Sequence, residues 1–586
     1  MESLRAFLRS LGKHRTFGPF VRLEAKAAAL SPSDWLVVSA LGAIMGLAAF
    51  AMLASVSTAL TVEVPAHGGT YIEGVEGTPR FINPLLAISD TDRDLTALVF
   101  SGLLKANPDG SFAPDIAASY TESDDKRTYT FTLRSDAQFQ DGTPVTADDV
   151  VFTVNAAQNP EMKSPRRPNW EGVEVAATDP HTVTFTLKAP YAPFLENMTL
   201  GILPSHIWKG VTAEEFPFNN FNTHPIGSGP FSVESVKQNG SGIPTEYHLR
   251  AFGNAIRPPF IDRFILKFYA NTGALTDALN RGDVEAAHSL NPTNVNVSTV
   301  VNEAVFTRVF GVFFNQNQNA LFADAALRGA LSQAVDKEEI VSIVVSGYGS
   351  PIGGPLPPEG VASTTGDSLS KEGRIASARD TLTRAGWKLG TDGIFTKTVK
   401  KQTTRLAFSL ATSNTPELKR AAELVAADWK SLGADVELKF FEQNDLNQEV
   451  IRPRKYDALL FGLVVGREPD LFAFWHSSQR IDPGLNIGLY ANSDVDKKLE
   501  QARAESDPTR RRADTKSAAD LIAKETAAVF LYAPHFVYLT PGSVHGIVLP
   551  SIETPSDRYM NVDEWYVKTE RVWPFLTKNI FALFSI

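Results

Sequence analysis

A chain of 586 residues is longer than one hydrophobic core usually serves, so two or three lobes are expected. Hydrophobic residues at 43% and charged residues at 21% describe a globular chain rather than a disordered one, and 37 phenylalanines point to aromatic packing. A net charge of -10 without a long basic run argues against nucleic-acid binding, and the lack of cysteine excludes disulfides, thiolate catalysis, Cys-ligated zinc and a lipidated-cysteine tether.

Residues 1–34 carry Arg5, Arg9, Lys13, Arg15, Arg22 and Lys26 against Glu2, Glu24 and Asp34. Six positive and three negative charges leave this leader at +3 and the remainder at -13. Residues 35–62 contain no charged residue, enough length to span a bilayer as a helix, with Trp35 placed for an interfacial ring. The basic flank puts the leader in the cytoplasm and everything after Val62 outside. Two other readings compete: a cleaved signal peptide, for which Ser57-Thr58-Ala59 offers small residues, and a buried core helix. The length of the apolar run and of its leader favours an uncleaved anchor.

A polar linker at 63–69 leads into a strand beginning Thr70-Tyr71-Ile72. Further on, two segments alternate strictly. Tyr129, Phe131 and Leu133 share one face in 127–134, and Val183, Phe185 and Leu187 do so in 181–188. Period-two alternation predicts half-buried antiparallel strands. Between them, a turn over 140–144 precedes a helix from Ala147 to about Ala157, capped by Thr146 and favoured at its start by Asp148 and Asp149. Residues 321–346 carry a helical core, and Pro416 to Leu432 is a helix with Thr415 to cap it and Gly433 to end it. Ser493 is read as the cap of the next helix, and Asp507-Pro508 opens another.

Catalytic patterns are lacking. The sequence contains no His-Glu-x-x-His, no phosphate loop ending in Gly-Lys-Ser/Thr and no Gly-x-Ser-x-Gly, and no two histidines stand four apart. Neither an enzyme, a metal site nor a cofactor is expected.

The chain resembles family 5 of the bacterial extracellular solute-binding proteins, the oligopeptide, dipeptide and nickel receptors of ABC importers, over nearly all of 68–570. The resemblance is densest in Val99-Phe100-Ser101-Gly102-Leu103-Leu104, in 113–120, in 129–134 and in 139–152. It continues in order through Gly227-Ser228-Gly229-Pro230-Phe231, Phe314-Asn315, 327–337, Ala385-Gly386-Trp387 and 486–496. What it implies is an α/β fold of two periplasmic-binding-protein-like lobes with an inserted β-rich subdomain, preceded by the transmembrane helix. Lobe I would cover 70–311, with the subdomain at about 112–190. Lobe II would cover 312–535, and 536–586 would return to lobe I and end in a tail. Crossings are expected near 309–313 and 533–537.

The same resemblance implies a membrane-anchored extracytoplasmic receptor, expected to be monomeric, that captures a peptide or other small solute between its lobes for an ABC importer permease. A tethered sensor or peptide-holding chaperone of the same fold is the alternative. For the site, the loop at 76–84 resembles the family's cleft loop, which nominates Glu76, Gly77, Thr78 and Arg80. Family members place an amine-binding Asp before an Asp-Pro-Asp segment. Here Glu468-Pro469-Asp470 matches that segment, while the expected Asp falls on Val465 or Gly466. Either Glu468 or Asp470 takes the role, or the ligand lacks a free amine, or the register differs by one or two. Arg467 is placed to meet a carboxylate. Trp475 is nominated as an apolar wall against its alternative as a core residue, and Asn315 as a ligand contact or a fixture of the crossover strand.

Overall fold

The computed structural model of the chain describes residues 31–191, 193–361, 369–505 and 507–573. Most of the basic leader, residues 1–30, and the last residues, 574–586, therefore lie outside the described part. The chain divides into two units, 1–66 with 569–586, and 67–568.

In the smaller unit, the apolar run forms one helix, Pro32–Leu60. Ser31 and Asp34 close its start reciprocally: the Ser31 hydroxyl donates to Asp34 Oδ2 at 2.6 Å, and the Asp34 amide donates back to Ser31 Oγ at 3.2 Å. Over Pro32–Met52 the mean hydropathy is 2.1 and no side chain is buried. The start of the stretch read as a linker is a strand, Val62–Ala66, paired with Lys568–Val572 and tied by Arg571 to Glu63 at 2.9 Å.

In the larger unit a 12-stranded mixed sheet runs through both lobes. In lobe I, Thr70–Glu76 lies parallel to Arg263–Tyr269 and to Ala286–His288, while Pro244–Ala251 and Phe231–Gln238 extend the sheet antiparallel. In lobe II, Ala407–Ser413 lies parallel to both Asp435–Phe441 and Ala458–Val464, and Arg308–Phe314 runs antiparallel to the latter. The strand Ala528–Thr540 belongs to both halves. It pairs with Arg308–Phe314 through Ala528, Val529, Phe530 and Tyr532, and with Val300–Val305 from His535 to Thr540. Its side chains are buried along the whole strand except at Pro534 and His535, where it passes from one lobe to the other. A strand covered on both faces reads as a continuous apolar run, and this one does.

Alternation along Arg308–Phe314 sends Val312 and Phe314 into one lobe II cluster, around Phe408 and Trp429, and Val309 and Phe313 into another, around Trp475 and Phe530. Lobe I has its main core around Tyr71, Phe131, Phe139, Tyr247 and Trp565. The two alternating segments are neighbours in a four-stranded sheet, with Phe131 opposite Val183 and Thr130 opposite Thr184. Thr146 and Asp149 form a capping box on the helix Ala147–Gln158.

Two helical details differ from the sequence reading. The segment over 321–346 contains two helices, Ala325–Ala334 and Lys337–Val344, because Asp336 accepts from the Glu339 amide and starts a new N-terminus. The helix Ser493–Ala504 is capped by Asn492, whose side chain accepts from Asp494 and Val495, so Ser493 falls inside the first turn.

Three of the matched motifs interlock. A Cβ at Gly227 would lie 2.1 Å from the Val99 carbonyl oxygen, and one at Gly229 would lie 2.6 Å from the Val99 carbonyl carbon. Only glycine permits that approach. Gln140 ties the three segments by donating to the carbonyls of Val99 (3.1 Å) and Phe231 (2.8 Å) and accepting from the Gly227 amide (3.0 Å).

Lobe I also buries an ion cluster. Glu73, Asp94 and Arg558 are all 0% exposed. Arg558 donates to Glu73 Oε1 at 2.9 Å and to both Asp94 oxygens at 2.8 and 2.6 Å, while Tyr538 and Tyr559 donate to Glu73 Oε2 at 2.8 Å. Burial raises the Asp94 pKa, but Arg558 and His288 outweigh it and hold the carboxyl below its ordinary value.

Candidate functional site

A cavity of about 710 Å³ opens between the lobes. Lobe I lines it with the helix Asp90–Val99, the segment around Arg166, the turn Phe194–Asn197 and residues 553–557, and lobe II lines it with residues 464–470 and Arg503.

Local folding fixes each wall. Ser164 donates its hydroxyl to the Leu85 carbonyl at 2.7 Å and accepts from the Arg166 amide at 3.2 Å, so the turn carrying Arg166 is pinned to lobe I. Trp170 is buried against Phe185 and Phe194 just beyond it. Asn197 donates to the Asn169 carbonyl at 3.0 Å, which ties the turn bearing Glu196 to the same segment. On the far side of lobe I, Asp557 caps its own turn by accepting from the amides of Glu553 (2.8 Å) and Thr554 (3.1 Å). In lobe II, Gly466 takes a left-handed φ of 80° after the strand Ala458–Val464, and the Val465 amide donates to Thr307. That turn aims Arg467 across the cleft.

Arg467 joins the lobes. Its guanidinium lies 3.1 Å from Asp557 Oδ2 and 3.7 Å from Glu196 Oε1, and its side chain is only 12% exposed. Glu468 and Asp470 also line the cavity, but their carboxylates are held within lobe II. Glu468 pairs with Arg511 and Arg512, both at 3.1 Å, and Asp470 pairs with Arg503 at 2.5 Å. Arg503 in turn stacks 3.9 Å over the Phe472 ring.

The other nominated residues lie elsewhere. Glu76 accepts from the Thr272 hydroxyl at 2.6 Å, and Gly77 stands at φ 109° against Thr91. Thr78 is exposed, and Arg80 leans over Phe81 at 5.5 Å while its amide donates to Asp92. None of these four lines the cavity. Asn315 is buried and donates to the Arg454 carbonyl at 2.7 Å while accepting from Asn317 and Gln318, which fixes the end of its strand. Trp475 is 1% exposed and packs against Phe313, Tyr490 and Phe530 in the lobe II core. The cavity residues that sequence reasoning did not find are Arg93, Arg166, Glu196, Glu553 and Asp557. They lie far apart in the chain, and no local pattern marks them.

The acids here are shifted. Glu196 is raised to about 7, first by burial and then by Glu553, against the opposing effect of Arg467. Glu553 is raised by burial and by Asp557. If closing the cleft brings Glu196 and Glu553 together as they stand here, a carboxyl raised to about 7 in that arrangement and near its ordinary 4.5 in an opened one makes closure take up a proton between those values. The closed form is therefore favoured as pH falls through 7. Ligand affinity of the wild type should strengthen from pH 8 to pH 6 by about tenfold in all, most of it below pH 7, and Glu196→Gln should flatten that profile in calorimetric titrations. A profile that keeps its slope in Glu196→Gln would assign the proton elsewhere.

The two lobes share one strand, and a charged cleft lies between them. The sequence pattern of bacterial extracellular solute-binding proteins, family 5 (Middle), matches residues 111–481, and the chain belongs to that family. It is 28% identical to the oligopeptide-binding protein AppA of Bacillus subtilis over 522 residues, covering 86% of this chain and 92% of that one. Protein XP55 of Streptomyces lividans is 30% identical over 447 residues, covering 74% and 78%. Among solved structures, AppA from Bacillus subtilis in complex with a nonapeptide superposes with a TM-score of 0.64 at 27% identity, covering 86% of this chain and 100% of that one. NikZ from Campylobacter jejuni in complex with Ni(L-His) does so with 0.65 at 26%, covering 85% and 99%. The protein is a solute-binding component of the ABC-importer class.

Proposed function

We propose that this chain is a membrane-anchored extracytoplasmic receptor that encloses a peptide between its two lobes and presents it to an ABC importer permease. The observation that carries this reading is the cleft itself. It lies within the range of about 300–1,000 Å³ usual for small-ligand sites, both lobes contribute charged side chains to it, and Arg467 spans it. Closing such a cleft removes water from around the ligand, which strengthens every hydrogen bond and ion pair made to it. The ligand shifts the open–closed balance only by its preference for the closed state, and the importer reads that closure. One relative, the oligopeptide-binding protein AppA, which was solved with a nonapeptide, supports a peptide as the solute.

The helix Pro32–Leu60 serves as the tether, long and apolar enough to cross a bilayer and preceded by a basic leader. Tethering keeps the receptor concentrated at the importer. The test is to purify the full chain from membranes in detergent, with its intact mass measured, and to identify the bound solute by native mass spectrometry. A set of short peptides on an uncleaved chain is expected. A sugar or a metal chelate would overturn the ligand, and a chain beginning beyond Ala59 would overturn the tether.

A further inference from the structure

The strand Ala528–Thr540 changes lobes at Pro534 and His535, and a short segment of lobe II lies against that point. Residues 346–350 follow the lobe II helix Lys337–Val344, turn through left-handed φ angles of 53° at Ser346 and 84° at Gly347, and enter the strand Gly349–Pro351, which pairs with Tyr532–Pro534. The segment is tied to lobe I and to the joint along its length. Asn291 of lobe I donates its side-chain amide to Ser346 Oγ at 2.9 Å. Tyr348 packs on the lobe I cluster of Leu275, Leu279, Val537 and Leu539, and its carbonyl accepts from the His535 amide at 3.0 Å. The His535 ring joins both sides. Its Nδ1 meets the Glu303 carboxylate on the lobe I strand Val300–Val305, and its Nε2 lies 2.8 Å from the hydroxyl of Ser350, which is 1% exposed. A serine hydroxyl can donate to a neutral ring or accept from a protonated one, so this tie holds in either state.

We propose that residues 346–350 form a strap over the joint that holds the unliganded lobes near the arrangement seen here, so that opening the cleft breaks the ties to Asn291 and His535. Hinge motion is absorbed by a few residues between rigid elements, which here are 306–307 and 534–535. The strap adds a third, non-covalent connection beside the second of these. A receptor whose closed form is already populated binds with an affinity scaled by that fraction. The strap therefore sets affinity from outside the cleft, since none of 346–350 lines the cavity. This deepens the receptor reading and rests on closure being how the ligand is held.

Dyes on Lys209→Cys in lobe I and Lys497→Cys in lobe II of the full chain in detergent report the open and closed populations by single-molecule energy transfer, with and without a pool of short peptides. Without peptide, Ser346→Ala combined with Ser350→Ala should lower the closed-to-open ratio about fivefold to thirtyfold, the effect of two hydrogen bonds lost from one state. Peptide affinity should fall by the factor by which the closed fraction falls, and the peptide-bound population should keep its wild-type energy transfer. Ser346→Ala alone, at an exposed position, should give a smaller shift in the same direction and serves where Ser350→Ala disturbs the core. An unchanged ratio in both variants would overturn the strap, and peptide that still closes them would leave the receptor standing. Peptide bound to the wild type without any change of energy transfer would overturn closure, while a ratio that falls in the unliganded variants would still support the strap.

Discussion

Arg558→Leu should destabilise lobe I by about 3–5 kcal/mol, the usual cost of removing one partner from a buried ion pair. The substitution leaves Glu73 and Asp94 at 0% exposure with no cation between them. Tyr538 and Tyr559 would still donate to Glu73, but a hydroxyl supplies no net charge. Asp94 would lose the Arg558 charge that holds it below its ordinary value, leaving burial to push it up, so the variant's stability is retained at low pH and lost as pH rises. Calorimetry at pH 5.5 and pH 8 should show one unfolding transition lowered in both conditions and lowered more at pH 8. An unchanged transition would mean that the cluster contributes no net stability.

The second large effect concerns Arg467. Arg467→Ala removes the cation that joins Asp557 and Glu196 of lobe I to the loop of lobe II. Truncating one member of a charge pair this well enclosed costs about 2–4 kcal/mol of binding, roughly 30- to 1,000-fold in affinity. A double-mutant cycle with Asp557→Asn separates a bridge between lobes from a direct ligand contact. Strong coupling between the two positions marks the bridge, and additive losses mark a contact with the ligand alone. Affinity within threefold of the wild type would remove Arg467 from the mechanism.

The parts of this fold that were legible in the sequence are those written in local periodicity. The alternation over 127–134 and 181–188 specified two strands and their buried faces, and the structure pairs them directly. Thr146, Pro416, Gly433 and Pro508 marked helix ends because capping is a matter of a few adjacent residues. Where two good caps adjoin, as at Asn492 and Ser493, the sequence alone could not decide between them. The two-lobed α/β architecture came from the family resemblance, since no local pattern says that Ala528–Thr540 pairs with strands in both lobes.

The cleft was legible only in part, for a related reason. The matched segment at 467–470 drew attention to Arg467, Glu468 and Asp470, and all three line the cavity. Two of them prove to be occupied by arginines of lobe II helices, which sequence position could not reveal. Arg166 sits in a Pro-Arg-Arg-Pro turn and Asp557 caps its own short turn, so no adjacent residue marks either as lining a cavity. They meet there only because the chain brings distant segments together.

The natural lack of cysteine makes one measurement especially clean. Lys209→Cys in lobe I and Lys497→Cys in lobe II place two spin labels at exposed positions of otherwise unlabelled protein. Pulsed dipolar spectroscopy on the full chain, with and without the peptide pool, should show the interlabel distance distribution shift and narrow when ligand binds. Bound peptide with an unmoved, equally broad distribution would contradict a receptor that works by closing its lobes.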